Sequence, residues 1–360
     1  MRTNPNGREV DLENNETGKR FNIVVVGCGQ MANAWVKGAL AREDASIVGF
    51  VDIKQEYAQA MADRYDLACG TFTDVAEALT RTNANLVFDV TIPASHYSVC
   101  STAMSLGADV LGEKPMAESM ADARELIAIS DRTGRSYAVM QNRRYNANIR
   151  ALEALVRSGA IGKVGYLGAD FFLGPHFGGF RDAMDSPLIL DMAIHTFDQA
   201  RFVTGADPVS VYCHEFNPPG SWYAGNASAI CIFEMSDGST FAYRGSWCAE
   251  GAPTSWEAQW RVQGEKGAAL WDGIGAPYAE VVAAGDQTGK FLREFERVEA
   301  PLVWSGRAGH EGCFDEMFAA LKEGRPAETD CRDNIKSMAM VYGAIDSAKA
   351  GRKVDLREYY

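Results

Sequence analysis

The chain has 360 residues, with 35 Lys and Arg against 48 Asp and Glu, for a formal net charge of −13. Apolar residues make up 47% and charged residues 23%, which excludes a disordered chain and leaves enough apolar matter for about two domains. The acid excess argues against nucleic acid or an anionic membrane as the main partner, although backbone dipoles can still hold a phosphate locally.

Residues 1–20 are polar and lack an apolar stretch, so they read as a loose leader and not as a secretory signal. Strand and helix patterns then alternate. Phe21–Val26 is a β-branched apolar run, Met31–Ala41 a helix and Ile47–Val51 a strand. Helices follow at Gln55–Tyr65 and Asp74–Thr80, then a strand at Leu86–Val90, a helix at Ser95–Leu106 and a strand at Asp109–Leu111. Ser119 with Asp122 opens a helix that closes at Gly134, and Tyr137–Met140 is a strand. Such alternation predicts right-handed βαβ units around a parallel sheet.

The pattern changes near residue 142. After a helix at Ala147–Ser158, strand-like segments follow one another at Val164–Leu173, Val209–Phe216, Ala229–Met235, Thr240–Trp247, Trp256–Gln263 and Ala268–Trp271. Ser236-Asp237-Gly238 and Gly264-Glu265-Lys266-Gly267 are hairpin turns. Helices return at Glu311–Lys322 and Asn334–Ala350. The expected fold is α/β: a doubly wound parallel sheet over 21–142, then an α+β domain over 143–360 with a large, open, mostly antiparallel sheet. The last helices are free to pack back on the first domain. An open sheet face rich in aromatic residues wants a cover, and a second subunit is one candidate.

Eight cysteines are scattered with no Cys-x-x-Cys, which reads as buried free thiols in a reducing, cytoplasmic compartment and gives no metal site.

Chemistry is concentrated at three places. The first strand runs into Gly27-Cys28-Gly29-Gln30-Met31-Ala32 and then a helix, the Gly-x-Gly-x-x-Ala turn of a dinucleotide site. Asp52 ends the second strand, where a carboxylate accepts from ribose hydroxyls and repels a 2′-phosphate; NAD is therefore favoured, with NADP open because Lys54 is near. Glu113-Lys114-Pro115 follows the strand Asp109–Leu111, at the sheet edge where ligands sit, and proline restricts Lys114 to extended or cis geometry. Asp191 and His195 share a face if their segment is helical, and a neutral imidazole can take a proton from an alcohol.

Together these pieces, with Thr91-Ile92-Pro93, Asn142-Arg143-Arg144-Tyr145 and Ser158-Gly159-Ala160-Ile161-Gly162, resemble the Gfo/Idh/MocA oxidoreductase family over nearly the whole chain from Phe21. The resemblance implies a Rossmann domain, a second domain that mediates homodimers or homotetramers, and NAD(P)-dependent hydride transfer on sugars or cyclitols. It implies Lys114, Asp191 and His195 as catalytic. Gly27, Gly29, Gln30, Met31, Asp52, Ile53, Thr91, Pro93, His96, Glu113 and Lys114 then face the cofactor. Asn142, Arg143, Tyr145, His176, Asp191, Met192, His195 and Lys114 face the substrate. The pattern departs at Ala32 and Ala193, which stand where the family often has glycine, and in the short spacing from Pro93 to His96. Trp222, Trp247 and Trp304 are candidates for stacking on a sugar, or for the core. Two competing readings remain: an NAD-dependent glycoside hydrolase, and a non-catalytic NAD-binding sensor.

Overall fold

The computed structural model describes residues 2–3, 9–10 and 20–360. Arg2–Thr3 and Glu9–Val10 form a short antiparallel pair, and the remainder of the expected leader up to residue 19 lies outside the described residues. Two compact units follow. The first takes residues up to Gln141 together with His310–Ile335, and the second takes Asn142–Gly309 and Lys336–Tyr360.

The first unit is a six-stranded, wholly parallel sheet. Its strands are β1 (Phe21–Val26), β2 (Ala45–Val51), β3 (Gly70–Phe72), β4 (Leu86–Asp89), β5 (Asp109–Gly112) and β6 (Tyr137–Val139), in the order β3-β2-β1-β4-β5-β6. Chain order reverses between β1 and β4, which opens a crevice at their carboxyl ends. All six residues of β1 are buried, because a central parallel strand is covered on both faces. The connecting helices are α1 (Ala32–Leu40), α2 (Gln55–Arg64), α3 (Val75–Thr82), α4 (Pro93–Ser105) and α5 (Met120–Thr133). Local chemistry sets their ends. The Asp74 carboxylate accepts the Glu77 amide, the Ser119 hydroxyl accepts the Asp122 amide, and Gly134 leaves α5 at φ +65°.

The aromatic core of this unit recruits residues from far along the chain. Trp35 meets Phe88 and Phe314 edge-on at 4.9 Å each. Phe314 presses so closely on Gly38 that a Cβ there would lie 2.7 Å from its ring. Each such pair adds about 0.5–1.5 kcal/mol beyond the area it buries.

The second unit is built on a nine-stranded sheet. Its elements are α6 (Ala147–Arg157), β7 (Val164–Phe172), α7 (Ile194–Thr204), β8 (Pro208–Phe216), β9 (Ser228–Met235), β10 (Thr240–Ser246), β11 (Gln259–Gly264), β12 (Gly267–Trp271), β13 (Tyr278–Val282) and β14 (Phe295–Glu299). In chain order the long helices α8 (Gly309–Glu323), grouped with the first unit from His310 on, and α9 (Cys331–Ala350) follow, then β15 (Val354–Asp355). The sheet order is β14-β13-β12-β11-β7-β10-β9-β8-β15, with β7 and β10 parallel and the other pairs antiparallel. Strands β13 and β14 escape the sequence reading; each has five residues, and β14 carries three charges and is mostly exposed, so it shows no apolar run.

On one face Phe197 of α7 meets Phe233, Phe241 and Tyr243 at 4.9–6.2 Å. Along β9 buried and exposed positions alternate, and Ile230 and Ile232 on the opposite face stay 43% and 47% exposed. That is the half-covered pattern of an open antiparallel sheet. Among the described residues no helix is long and apolar enough to cross a membrane.

Candidate active site

At the end of β1 the chain turns at Gly27, with φ +88°. A Cβ there would sit 2.7 Å from the Val90 carbonyl oxygen and 2.9 Å from the Thr91 nitrogen, so the turn and the β1–β4 packing both require glycine. At Gly29 a Cβ would meet nothing within 4 Å, so the backbone there is open to close approach. Helix α1 begins with no side-chain cap and no acid in its first turn. A helix start left in that state suits an anion, because its amides and dipole favour negative charge.

Asp52 stands beside this turn. One carboxylate oxygen accepts the Cys28 amide at 2.9 Å and the other the Lys54 amide at 3.0 Å. Each oxygen keeps a second lone pair for a hydroxyl donor. The Cys28 thiol is pushed up to about 12 by burial, then by Asp52 and Cys69, so it stays protonated and donates to the Val51 carbonyl. Ile53 after β2 is 90% exposed and Ile92 after β4 is 65% exposed, an apolar rim on both flanks of β1.

His96 is wholly buried. Its Nδ1 lies 2.8 Å from Asp89 Oδ2, while Thr91 donates its hydroxyl to Asp89 Oδ1 at 2.6 Å and Cys100 its thiol to Oδ2 at 3.2 Å. Burial alone would raise the Asp89 carboxyl, but the His96, Thr91 and Cys100 contacts outweigh it and hold the group below its usual range. The sequence reading missed Asp89, although an acid closing a buried apolar strand is itself a signal. Thr91 and Pro93 lie at the mouth of the crevice, and His96 lies beneath it.

The Lys114–Pro115 bond is cis. Glu113 anchors this turn: it accepts the Trp35 indole N–H at 2.8 Å and the Lys114 amide at 3.2 Å, and His310 lies 3.9 Å away. Lys114 thus follows a carboxylate fixed in the core of the first unit.

In the second unit the segment with Asp191 is not a plain α-helix. Leu188–Ala193 is a π-helical turn that leads into α7, so the four-residue spacing of Asp191 and His195 does not carry ordinary α-helical geometry. Sequence periodicity gives no notice of a single π turn. Asp191 accepts Arg181 Nε at 2.7 Å, an ion pair that is 32% and 15% exposed on its two sides. Met192 is buried, with Arg143 Nη2 3.8 Å from its sulfur, and His195 is 9% exposed in the first turn of α7.

Asn142 and Arg143 lie in a short 3-10 turn, Asn142–Arg144. Arg143 bonds the Trp256 carbonyl and pairs with Glu257 at 3.2 Å; burial lowers its affinity for the proton and Glu257 opposes that. Arg144 is structural, gripping Asp198 bidentately at 2.6 and 2.7 Å in a buried network with Ser337. Tyr145 is also wholly buried and meets Trp304 edge-on at 5.9 Å. His176 is an exposed loop residue, stacked 3.8 Å from Trp222 and bonded to Glu250 at 2.8 Å. Arg181, Glu257 and Asp89 thus join the candidate residues from outside the motifs.

Residues 21–141 match the family model described as "Oxidoreductase family, NAD-binding Rossmann fold", and 149–270 match the GFO/IDH/MocA C-terminal domain. The chain belongs to the GFO/IDH/MocA oxidoreductase family. As a member of that family it carries an NAD-binding Rossmann domain, and it is an oxidoreductase. It is similar to an uncharacterised protein of Sinorhizobium fredii, 27% identical over 94% of this chain and 96% of that one. It is also similar to a D-apiose dehydrogenase of Paraburkholderia graminis, 26% identical over 95% and 91%. An oxidoreductase from Agrobacterium radiobacter, solved with NAD+, L-tartaric acid and magnesium, shares the fold at a TM-score of 0.79, with 22% identity over 94% and 99% of the two chains.

Proposed function

We propose that this GFO/IDH/MocA protein is an NAD-dependent dehydrogenase that oxidises a hydroxyl carbon of a sugar or cyclitol. The observation that carries the reading is the conjunction, in a family member, of an open glycine turn with the complete set Lys114, Asp191 and His195. Relatives named D-apiose dehydrogenase and inositol 2-dehydrogenase support the substrate class.

The residues of the first unit fit the cofactor. The free amides at Gly29–Met31 hold the pyrophosphate, and Asp52 accepts from the adenosine ribose hydroxyls with its remaining lone pairs. Asp52 faces backbone amides and not a guanidinium, which favours NAD over NADP. Ile53, Thr91 and Pro93 line the crevice, and His96 steadies Thr91 through Asp89. When bound, NAD supplies the acceptor for the hydride that leaves the carbinol carbon.

The chain's own residues handle the proton. His195 takes it from the substrate hydroxyl as the carbonyl forms. The Lys114 ammonium steadies the developing negative charge on that oxygen. Asp191, held by Arg181, orients the substrate. Asn142, Arg143, Tyr145, His176 and Met192 complete the substrate side, Arg143 and Tyr145 by support and not by open contact. Eight free cysteines accord with a reducing, cytoplasmic setting, and the half-covered sheet face is the proposed homo-oligomer surface.

The test is a screen at 340 nm with NAD or NADP against neutral sugars and cyclitols. Reduction of NAD in preference to NADP is expected. Silence across the panel with NAD still bound by calorimetry contradicts the dehydrogenase reading, and absence of binding contradicts the assignment of the Gly27–Asp52 site.

A further inference from the structure

The second unit carries an aromatic surface to which the proposed reaction assigns no role. Phe177 and Trp256 are 52% and 45% exposed, two large rings open to solvent side by side. They lie 6.5 Å apart between centroids, and the buried Trp247 stands behind both, 5.9 Å from Phe177 and edge-on to Trp256 at 5.6 Å. Trp256 is also tied through its carbonyl to Arg143. The two rings are therefore held by their neighbours and do not hang free on the loops.

Their neighbours return to the π turn by two routes. Arg181 lies over Phe177 at 5.0 Å and is bonded to Asp191. Arg143 lies over Trp256 at 5.9 Å and reaches the sulfur of Met192, the next residue. Each exposed ring is thus one guanidinium removed from the Asp191-Met192 pair.

The two guanidiniums that lie over them are matched. Arg181 is paired with Asp191 and Arg143 with Glu257, and all four side chains are at most 32% exposed. An incoming carboxylate or phosphate has to take a guanidinium from one of these acids and leave that acid poorly solvated, which is costly. An uncharged ring makes no such demand. Its C–H face can lie on an aromatic ring and remove apolar surface from water, while its hydroxyls turn to the polar groups beside it.

We propose that Phe177 and Trp256 form a stacking platform for the C–H face of an electrically neutral sugar or cyclitol ring, and so set substrate class beside Asp191. The proposal rests on the dehydrogenase reading for its place in the reaction, but the platform can be tested separately. Trp256→Ala and Phe177→Ala should each raise KM for a neutral substrate about tenfold while kcat stays within about threefold. Trp256→Phe and Phe177→Tyr should restore KM to within about threefold of the wild type. Uronic acids should be poorer substrates than the matching neutral sugars. Unchanged KM in both alanine variants, or preference for the uronic acid, overturns the platform. If the wild type oxidises nothing in the panel, the dehydrogenase reading fails. Tryptophan fluorescence, titrated with the same neutral sugars and cyclitols, then decides the platform alone. A saturable change in the wild type that is lost in Trp256→Phe supports it, and no saturable change overturns it.

Discussion

The Gly27–Met31 turn is held by backbone. Its shape follows from one positive φ, the Val90 carbonyl behind it, and the Cys28 amide tied to the side chain of Asp52. The Leu188–His195 segment is held by side chains from distant stretches: Arg181 on Asp191, Arg143 beside Met192, and the Ser186 hydroxyl donating to Glu215 just before the π turn. A backbone-made site tolerates change in most side chains but not in its glycine. A side-chain-made site is sensitive at several remote positions, each by a smaller amount.

The largest break falls on the first region. Gly27→Ala places a Cβ against the Val90 carbonyl at a φ that L-residues rarely adopt. It should destabilise the fold by about 1–3 kcal/mol and abolish NAD binding, read by melting temperature and calorimetry. A variant with normal binding contradicts the cradle argument.

The second region should yield in parts. Arg181→Ala leaves Asp191 without its guanidinium, and kcat/KM should fall about tenfold to a hundredfold. Arg181→Lys should recover part of the loss, since an ammonium supplies charge but not the planar fork. Equal loss in both variants implicates the geometry of Arg181 and not its charge.

A smaller effect is expected at Asp52. Asp52→Ala frees the Cys28 and Lys54 amides and removes the carboxylate that opposes a 2′-phosphate. The ratio of kcat/KM for NAD over NADP should drop about tenfold. An unchanged ratio shows that cofactor choice resides elsewhere.

The smallest effect concerns stability and pH. Burial lifts the Glu215 carboxyl from its ordinary 4.5 to about 7, against the opposing pull of Ser186 and Lys349. The native state then keeps a proton that the unfolded chain releases. This contribution is whole below pH 4.5 and is lost as pH rises to about 7. Glu215→Gln should flatten the fall in melting temperature across that window and be the more stable protein at pH 8, by on the order of 1–2 kcal/mol after solvent screening. Parallel pH curves for the two proteins contradict the assignment.

The same contrast explains what could be read in advance. The parallel sheet, the glycine turn and the place of Asp52 and Glu113-Lys114 at strand ends were legible because strand periodicity and turn chemistry are local. The three-residue β3 and the late strands β13 and β14 were not, being short and, in β14, rich in charge. The residues 310–335 were assigned to the second domain with only the allowance that late helices pack back, whereas they group with the first unit, where Phe314 fills the space over Gly38. In the second region Asp191 and His195 were visible as a spacing, but the π turn was not. Nor were Arg181 and Glu257, whose roles arise from contacts across 10 and 114 residues of chain. Arg144 and Tyr145, which follow Arg143 in sequence, are buried where Arg143 is only partly so, a distinction that a motif does not carry.

The most direct measurement is the initial rate at 340 nm of His195→Ala and Lys114→Ala, with NAD and the sugar or cyclitol that the wild type oxidises fastest, beside calorimetric titration of NAD. Each variant should lose about a hundredfold to ten-thousandfold in kcat, with NAD affinity unchanged in His195→Ala. Near-normal turnover in either variant contradicts the assignment of proton transfer to His195 and oxyanion support to Lys114.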